Sequence, residues 1–408
     1  MSFALGVVLF AVGIGVSIAL HEAGHMYSAK LFGMRVRRYF IGFGPTLFSF
    51  RRGETEYGLK AIPAGGFCDI AGMTALDELP DPMDRKRAFF RYTTWKRVVV
   101  LSAGSLTHFV LGIMIIYVMA LSTGLPNLNA PPPEPPPATV AQVSECVGAT
   151  TGACSPEDPA PAREAGLRTD DRIVAVAGTP VNNIRELQGA TRPLQGPTEF
   201  VIERNGQQQP VLIDVARVPA SALGGPSDEM IGAIGIATPL QAPTAVPMLQ
   251  YGPLDAVPGT FAFTGTLFAN TWEGIKQLPQ KIEPLLAAIS GEPRSPETPV
   301  SVVGASILGG DAVDIEVWWF FLYLLAALNL FVGVFNLLPL LPLDGGHIAV
   351  NVYERARNGL RAMRGRPAGP PVDYTKLLPL TYAFALVFIA FAALTLTADI
   401  VNPLRFSP

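Results

Sequence analysis

The chain has 408 residues, of which 49% are hydrophobic and only 15% charged, and its mean hydropathy is +0.34. This composition is typical of a membrane protein with polar insertions, and the length allows two or three domains. A net charge of −3 argues against a nucleic-acid-binding surface.

Four long apolar runs predict four membrane-spanning helices, which we place at 2–25, 98–122, 317–343 and 377–398. The first run has neither the basic start nor the small-residue cleavage site of a signal peptide, so we interpret it as an uncleaved span. With four spans, both termini lie on the same side of the membrane. The predicted fold class is therefore a polytopic α-helical membrane protein.

The inner end of the first span carries His21, Glu22 and His25. Together with Met1, this span makes up the first segment of the chain, 1–25. Residues four apart stack on one face of a helix, so both imidazoles can bind one Zn²⁺, with Glu22 beside it as a general base. So short a pattern can also occur by chance. Ionisable residues inside a span are costly and usually functional, which favours the metal site.

The distribution of Lys and Arg predicts the orientation of the spans. Segment 26–97 holds thirteen of the 30 Lys and Arg and segment 344–376 holds six, whereas the much longer 123–316 holds ten. Because basic residues favour the cytoplasmic side, we predict that 26–97 and 344–376 are cytoplasmic. Segment 123–316, both termini and the tail 399–408 are then extracytoplasmic.

Within 26–97 we predict a small hairpin, with strands at 38–45 and 56–63, a turn at 52–54 and Gly65-Gly66 at its end. A sheet beside the metal helix could pair with an extended peptide along its edge. Equally, it could only cap the helix on the cytoplasmic side. Spacing does not favour either interpretation.

The outer segment divides into three parts. Residues 123–137 form a Pro-rich, stiff linker, and 241–316 form an amphipathic segment on the membrane surface that includes a helix over 261–278. Between them, 138–240 predict one compact α+β domain, with strand-like runs at 172–176, 199–204 and 211–215 and helix-like segments at 160–166 and 182–192. Cys146 and Cys154 either form a disulfide or remain free thiols, and the extracytoplasmic placement favours the bond.

A catalytic zinc site needs a third protein ligand. The third span ends in a Pro-broken stretch, from which Asp344 emerges as the natural carboxylate ligand. His347 is the competing ligand, and a solvated loop histidine is its alternative interpretation. We favour Asp344.

The motifs together resemble the site-2 proteases, zinc intramembrane metalloproteases of the M50 type, and most closely their actinobacterial and mycobacterial members that act in sigma-factor signalling. The resemblance covers nearly the whole chain and keeps the family order of motifs. It rests on HEAGH in the first span, the hairpin FGPTLFSFRRGETEYGLKAIPAGGF, PAREAGLRTDDRIVAVAGTPV, and NLLPLLPLDGG in the third span.

This resemblance implies a role for each matching residue. His21, His25 and Asp344 would bind one Zn²⁺ per chain, with Glu22 as general base and Asn336 contacting the substrate backbone. The hairpin, with Gly65 and Gly66, would hold unwound substrate as an added strand. Residues 138–240 would be an extracytoplasmic PDZ domain that filters or docks substrates.

The family likeness also implies the partners and location. Substrates would be single-span proteins such as anti-sigma factors, cut after an upstream site-1 protease has trimmed them, in regulated intramembrane proteolysis at the cell membrane. The chain departs from the family in its second span, where Ser105 and His108 replace a proline and an asparagine. His108 could fill the polar role of that asparagine, or could be a hydrogen-bonded interior histidine, which we favour.

Two other functions compete with proteolysis. A non-enzymatic PDZ-containing receptor or scaffold would need a closed structural metal site, in which Glu22 has no use. A metal transporter would need a polar relay through several spans, and the second and fourth runs have few polar residues.

Overall fold

The computed structural model describes residues 2–73, 77–127, 135–147, 154, 158–220, 229–237, 247–291 and 294–406. Residues 128–134 of the predicted Pro-rich linker, 123–137, lie outside the described residues. Within the described part, four helical segments are long and apolar enough to cross a membrane. They are α1 (Ser2–Leu31), α3 (Thr94–Ser122), α9 (Trp318–Asn336), and the segment Tyr374–Val401, which contains α11 (Leu378–Val401).

These helices correspond to the four predicted spans, with one informative difference. The helix α9 ends at Asn336, well before residue 343, because Pro339 and Pro342 lack the N–H groups that a continuing helix needs. A new helix, α10 (Asp344–Met363), then begins at Asp344. The predicted helix break is confirmed, and it places Asp344 in the first turn of a helix.

The centre of the bundle is built on α3, which packs against α1 and α9. Gly24 of α1 lies so close to α3 that a Cβ there would be 2.6 Å from the carbonyl oxygen of Ala103. Further along α3, Ile116 and Met119 are buried against Leu330 of α9. Through these two contacts, both α1 and α9 pack against α3.

The hairpin consists of β1 (Val36–Arg52) and β2 (Thr55–Ile70), which are longer than predicted and are joined by a turn at Gly53 and Glu54. The first half of β1 pairs with two segments of β2: Ile41 lies opposite both Leu59 and Gly66. The pair therefore curls into a half-barrel. The β2 segment that ends at Ile70 has β1 on one side and α1 nearby.

A network of ion pairs attaches the tip of this hairpin to the segment that follows β2. That segment contains α2 (Pro82–Lys86) and a 3₁₀ turn (Phe89–Arg91). Glu54 lies 2.6 Å from a guanidinium nitrogen of Arg35 and 2.6 Å from one of Arg87. Burial opposes ionisation of Glu54, but the hydrogen bonds from Arg87 and Arg35 outweigh it and lower the pKa of this carboxyl.

Between 138 and 237 the chain forms an α+β unit with its own core. Its five-stranded sheet has the order β6-β5-β7-β8-β9. The strands are β5 (Arg172–Val176), β6 (Thr179–Pro180), β7 (Gly196–Arg204), β8 (Gln207–Pro219) and β9 (Met230–Ala233), and the helices are α4 (Pro161–Glu164) and α5 (Ile184–Thr191). Phe200, Ile202 and Ile213 are fully buried in the core. Each predicted strand and helix has a counterpart here.

Shorter elements complete this outer region. A two-stranded sheet joins β4 (Gln142–Val143) to β10 (Ile236–Ala237), and another joins β3 (Leu125–Pro126) to β11 (Met248–Leu249). Cys146 and Cys154 form a disulfide, as favoured from the sequence, while Cys68 of β2 is a half-buried free thiol.

The segment before α9 contains α6 (Ala256–Gln277), a 3₁₀ turn (Leu278–Lys281), α7 (Ile282–Ile289) and α8 (Val302–Asp314). As expected for an amphipathic helix, α6 buries one face, including Phe263 and Leu267, against α3 and α9. In contrast, α8 is buried around most of its circumference and is not an amphipathic surface helix. Glycines permit this, because a Cβ on Gly6 of α1 would lie 2.8 Å from the Cα of Gly310.

The loop before α8 is held to the end of α11 by a buried ion pair. Arg294 and Asp399 have side chains that are 1% and 0% exposed, and their charged atoms are 2.6 Å apart. Arg294 also donates to the Thr298 hydroxyl and the Pro299 carbonyl, and Asp399 accepts from the Ser301 N–H. Every charged group is thus partnered despite its burial.

We expect Asp399→Asn to reduce the free energy of unfolding by about 3–5 kcal/mol, because it leaves the Arg294 charge buried without a counter-charge. The measurement is thermal unfolding of the purified chain in detergent. Glu273→Gln is the matched control: it removes a half-exposed ion pair with Lys276, which solvent screens, and it should shift the unfolding transition far less. Equal shifts in the two variants would contradict this role for the buried pair.

A second prediction concerns Glu54 and pH. A carboxyl whose pKa is lowered on folding stabilises the protein above its unfolded pKa, and this contribution disappears as the pH falls through the folded pKa. Glu54→Gln should therefore destabilise the protein at pH 7, by on the order of 1 kcal/mol, and progressively less below about pH 4.5.

The check is the difference in Tm between wild type and Glu54→Gln from pH 7 to pH 3. Glu78→Gln removes an exposed carboxylate of the same region that has no ion pair among the described residues, and it should show little difference at any pH. A Glu54→Gln difference that stays constant with pH would refute the linkage.

Candidate active site

Three predicted metal ligands converge at the inner end of α1. His21 and His25 lie one turn apart on this helix, and the first turn of α10 brings Asp344 to them. Their side chains are only 9–15% exposed. Within the described part of the chain, these three form the one group of His, Cys, Asp or Glu whose ligand atoms all lie within 4.8 Å of each other.

The spacing of the three donor atoms suits a tetrahedral ion. The two Nε2 atoms are 3.1 Å apart, and Asp344 Oδ2 lies 3.5 Å from that of His21 and 3.4 Å from that of His25. Bonds of about 2.05 Å to a tetrahedral Zn²⁺ would separate two ligand atoms by about 3.3 Å. Asp344 Oδ2 is also buried without a hydrogen-bond partner. The donor set therefore fits zinc.

The backbone of α3 orients the second histidine. His25 Nδ1 lies 2.7 Å from the Val100 carbonyl oxygen, to which it donates its proton. The lone pair of His25 is then on Nε2, the atom that faces His21 and Asp344. Sequence reasoning missed Val100, because its contribution is a carbonyl group that any residue would supply.

Gly104 of α3 gives the two imidazole rings their space. A Cβ at this position would lie 2.4 Å from His25 Nε2 and 2.6 Å from His21 Cε1, distances that real Cβ atoms do not show. The rings thus pack directly on the backbone of α3. The only sequence signal for this role is a small residue in an apolar run, which is common in spans.

Asp344 reaches the histidines because two glycines follow it. A Cβ on Gly345 would lie 2.3 Å from the carbonyl of Leu337, and one on Gly346 would lie 2.6 Å from the carbonyl carbon of Leu340. The first turn of α10 can therefore pack against the segment that ends α9. Both glycines were noted in the sequence only as part of a motif.

The competing ligand does not join the group. His347 lies one turn further along α10, and its Nδ1 is 3.4 Å from the hydroxyl of Tyr374. Its interaction is therefore with the segment that leads into α11. The structure places Asp344, and not His347, with the two histidines of α1.

Glu22 follows His21 on α1 and faces the hairpin. A Cβ on Gly66 of β2 would lie 3.0 Å from Glu22 Cγ, so the bare glycine backbone permits the sheet to approach this carboxylate. The hydroxyl of Tyr39 in β1 donates to the Ala19 carbonyl of α1 at 2.7 Å. This hydrogen bond holds the sheet against the helix one turn before Glu22.

The remaining predicted substrate-binding residues lie nearby in the fold. Gly65 precedes Gly66 in β2 and has a positive φ of +138°, which favours glycine. Asn336 is the last residue of α9, directly before the Leu337 carbonyl that contacts α10, and its side chain has no hydrogen-bond partner among the described residues.

His108 is an interior, hydrogen-bonded histidine. Its Nδ1 lies 2.9 Å from Asn329 Oδ1, while Asn329 Nδ2 donates to the Leu325 carbonyl. The amide oxygen is thus an acceptor and His108 Nδ1 a donor. The ring centroid of His108 is 5.0 Å from that of His21, so the pair also supports the first histidine. The sequence did not predict the role of Asn329, because the only indication was that it is a polar residue within a span.

Gly104→Ala tests the packing of the two rings. We expect the added methyl group to displace at least one imidazole and to lower the affinity for zinc by more than tenfold, since second-shell changes alone cost 10–100-fold in metal affinity. Bound zinc is measured by atomic absorption on the purified chain after equilibration with a competing chelator at a concentration that half-depletes the wild type. Gly15→Ala adds the same methyl group to α1 where nothing lies within 4 Å, and it should retain the metal. Full zinc content in Gly104→Ala would disprove the steric argument.

Comparison with known proteins agrees with this geometry. The model of peptidase family M50 matches residues 9–378. The chain is 47% identical over 412 residues to zinc metalloprotease Rip1 of Mycobacterium tuberculosis, covering 99% of both chains. It is equally similar, 47% over 420 residues, to zinc metalloprotease Rip1 of Mycolicibacterium smegmatis. It is also 30% identical over 355 residues to the chloroplastic membrane metalloprotease ARASP of Arabidopsis thaliana, covering 84% of this chain and 69% of that relative. A family match over most of the length, with near-complete coverage of both mycobacterial proteins, shows that this chain belongs to peptidase family M50.

Proposed function

We propose that this protein is a zinc-dependent intramembrane endopeptidase that cuts single-span membrane proteins. The observation that carries the proposal is the convergence of His21, His25 and Asp344 at zinc-like spacing beside Glu22. The names of the mycobacterial relatives, zinc metalloproteases, support the same chemistry. His21, His25 and Asp344 hold one zinc ion per chain, and when bound this ion supplies Lewis acidity at the scissile carbonyl and activates water.

Glu22 is the general base in this proposal. Its carboxylate follows a proposed ligand on the same helix, so it can accept a proton from the attacking water and pass it to the leaving amine. Three protein ligands leave a position for substrate, whereas a structural site is closed by four. A receptor with a structural metal would not need a carboxylate at residue 22.

Substrate binds as an added strand. Peptide bonds of a membrane helix are already hydrogen-bonded within the helix, so the substrate must unwind before it is cut, and its freed backbone groups need new partners. The end of β2 pairs with β1 on one side only, beside Gly66 and Glu22. An extended segment could pair along that edge and be positioned at Glu22, with Asn336 as a further contact to its backbone.

We further propose that the protein lies in the cell membrane with both termini and the α+β unit outside. The excess of Lys and Arg in 26–97 and 344–376 supports this orientation, and the Cys146–Cys154 disulfide suits an oxidising compartment. The α+β unit, within the predicted range 138–240, is assigned as a PDZ domain that filters or docks substrates. Substrates are anti-sigma-factor-like proteins already trimmed by a site-1 protease.

The decisive experiment uses a single-span, anti-sigma-factor-like substrate with its ectodomain removed, reconstituted with wild type or Glu22→Gln. Glu22→Gln should bind zinc normally but lower the cleavage rate at least 10²-fold, the usual contribution of a general base. Removal of zinc by a chelator should abolish cleavage, and added zinc should restore it.

Glu164→Gln is the matched control, because it makes the same chemical change at an exposed position in the α+β unit. It should cleave at the wild-type rate. If Glu22→Gln or the chelated protein cleaved normally, the protease proposal would fail and the receptor interpretation would replace it.

A further inference from the structure

The helix α10 has one face bound to the protein and one face that packs against none of the described residues. On the inner face, Asn351 is buried and Glu354 lies 3.7 Å from Arg97 of α3. The outer face carries large apolar side chains that are more than half exposed: Val352 at 51%, Tyr353 at 58%, Leu360 at 52% and Met363 at 77%. A helix with this division is amphipathic, with its apolar strip directed away from the protein.

Arginines surround this apolar strip. Segment 355–372 contains five Arg and no Asp or Glu. Arg355 lies within α10 and Arg364 directly follows its last residue; both are exposed. Helical spacing places the two arginines on opposite sides of the strip. Arg361 donates to the Pro367 carbonyl, so its guanidinium bonds to a neutral group. None of the five arginines has a carboxylate within 4 Å among the described residues. The helix therefore presents uncompensated positive charge beside exposed apolar side chains.

The position of α10 indicates what covers this face. Seven residues separate the end of α9 at Asn336 from α10, and ten residues separate α10 from the next candidate span, which begins at Tyr374. Both short connections keep the helix at the edge of the membrane. An apolar strip flanked by arginines at that level matches an interfacial helix, whose apolar side enters the acyl boundary while its basic residues contact anionic headgroups.

We propose that α10 lies in the membrane interface and binds anionic phospholipid headgroups through Arg355 and Arg364. The apolar strip, Val352, Tyr353, Leu360 and Met363, is inserted between the lipids. The same helix carries Asp344 in its first turn, so its attachment to the membrane also fixes the depth of that carboxylate. The lipid site itself does not depend on the proposed proteolysis, and its test requires no cleavage.

Lipid retention tests the arginines. The full chain is placed in nanodiscs of equal phosphatidylglycerol and phosphatidylcholine with identical acyl chains, extracted in mild detergent, and its bound lipids are counted by native mass spectrometry. Wild type should retain phosphatidylglycerol selectively. Arg355→Gln combined with Arg364→Gln should lower that selectivity by about five-fold per arginine, the effect of one basic residue near an anionic surface.

The control is Arg163→Gln combined with Arg185→Gln, which removes two exposed arginines from the α+β unit. This variant should retain phosphatidylglycerol like wild type. Bound zinc is measured in every variant, since normal zinc content shows that the first turn of α10 is still folded. Equal retention of the two lipids by wild type, or the same loss in both double variants, would overturn the proposal.

Insertion of the apolar strip is tested separately with Tyr353→Trp. Tryptophan at residue 353 should add fluorescence that brominated phosphatidylglycerol quenches, above the background of the four native Trp residues. If a second copy of the chain covered the strip, this fluorescence would not be quenched and the subunits would cross-link through α10. That result would also overturn the proposal.

Discussion

The close approach of α1 to α3 is the constraint on which the rest of the bundle depends. Two imidazoles and a carboxylate are costly in an apolar environment unless each polar atom has a partner or a metal. Gly104 lets both rings lie on the backbone of α3, whose Val100 carbonyl then fixes one of them, and Gly24 lets the helices touch at the same level. For His25, a backbone carbonyl thus takes the place of the polar side chain that a water-soluble site would use.

The chemistry-bearing residues were predictable from the sequence because their spacing has a direct geometric meaning. The four-residue interval of His21 and His25, the prolines before Asp344 and the turn at Gly53 each correspond to a local structure. Residues whose role depends on contacts between distant segments were not predictable. Gly104, and Asn329 paired with His108, look like ordinary residues of a span until α3 and α9 are placed side by side.

The same limit explains why α8 was misjudged. Its sequence contains few charges and several small residues, which fit a membrane-surface segment as well as a buried helix. Its burial follows from complementary glycines on α1 and α8, and the Arg294–Asp399 pair then holds the preceding loop against α11. The hairpin is held in a similar way: Glu54 at its tip forms ion pairs with Arg35 and Arg87. In both places a charged contact determines where a non-helical segment lies.

The position of Asp344 combines these constraints. As the proposed third ligand it must come from outside α1, because one helix turn supplies only two stacked ligands on one face, and the third must approach from a different direction to complete a tetrahedral set. A flexible loop could deliver a carboxylate, but with a poorly defined position. Here α9 ends at Asn336, and Gly345 and Gly346 let the first turn of α10 pack against the residues that follow α9. Asp344 therefore lies at a well-defined position where the two helices meet. Any displacement of α10 would therefore move Asp344 with it, which makes the attachment of this helix to its surroundings part of the geometry of the proposed site.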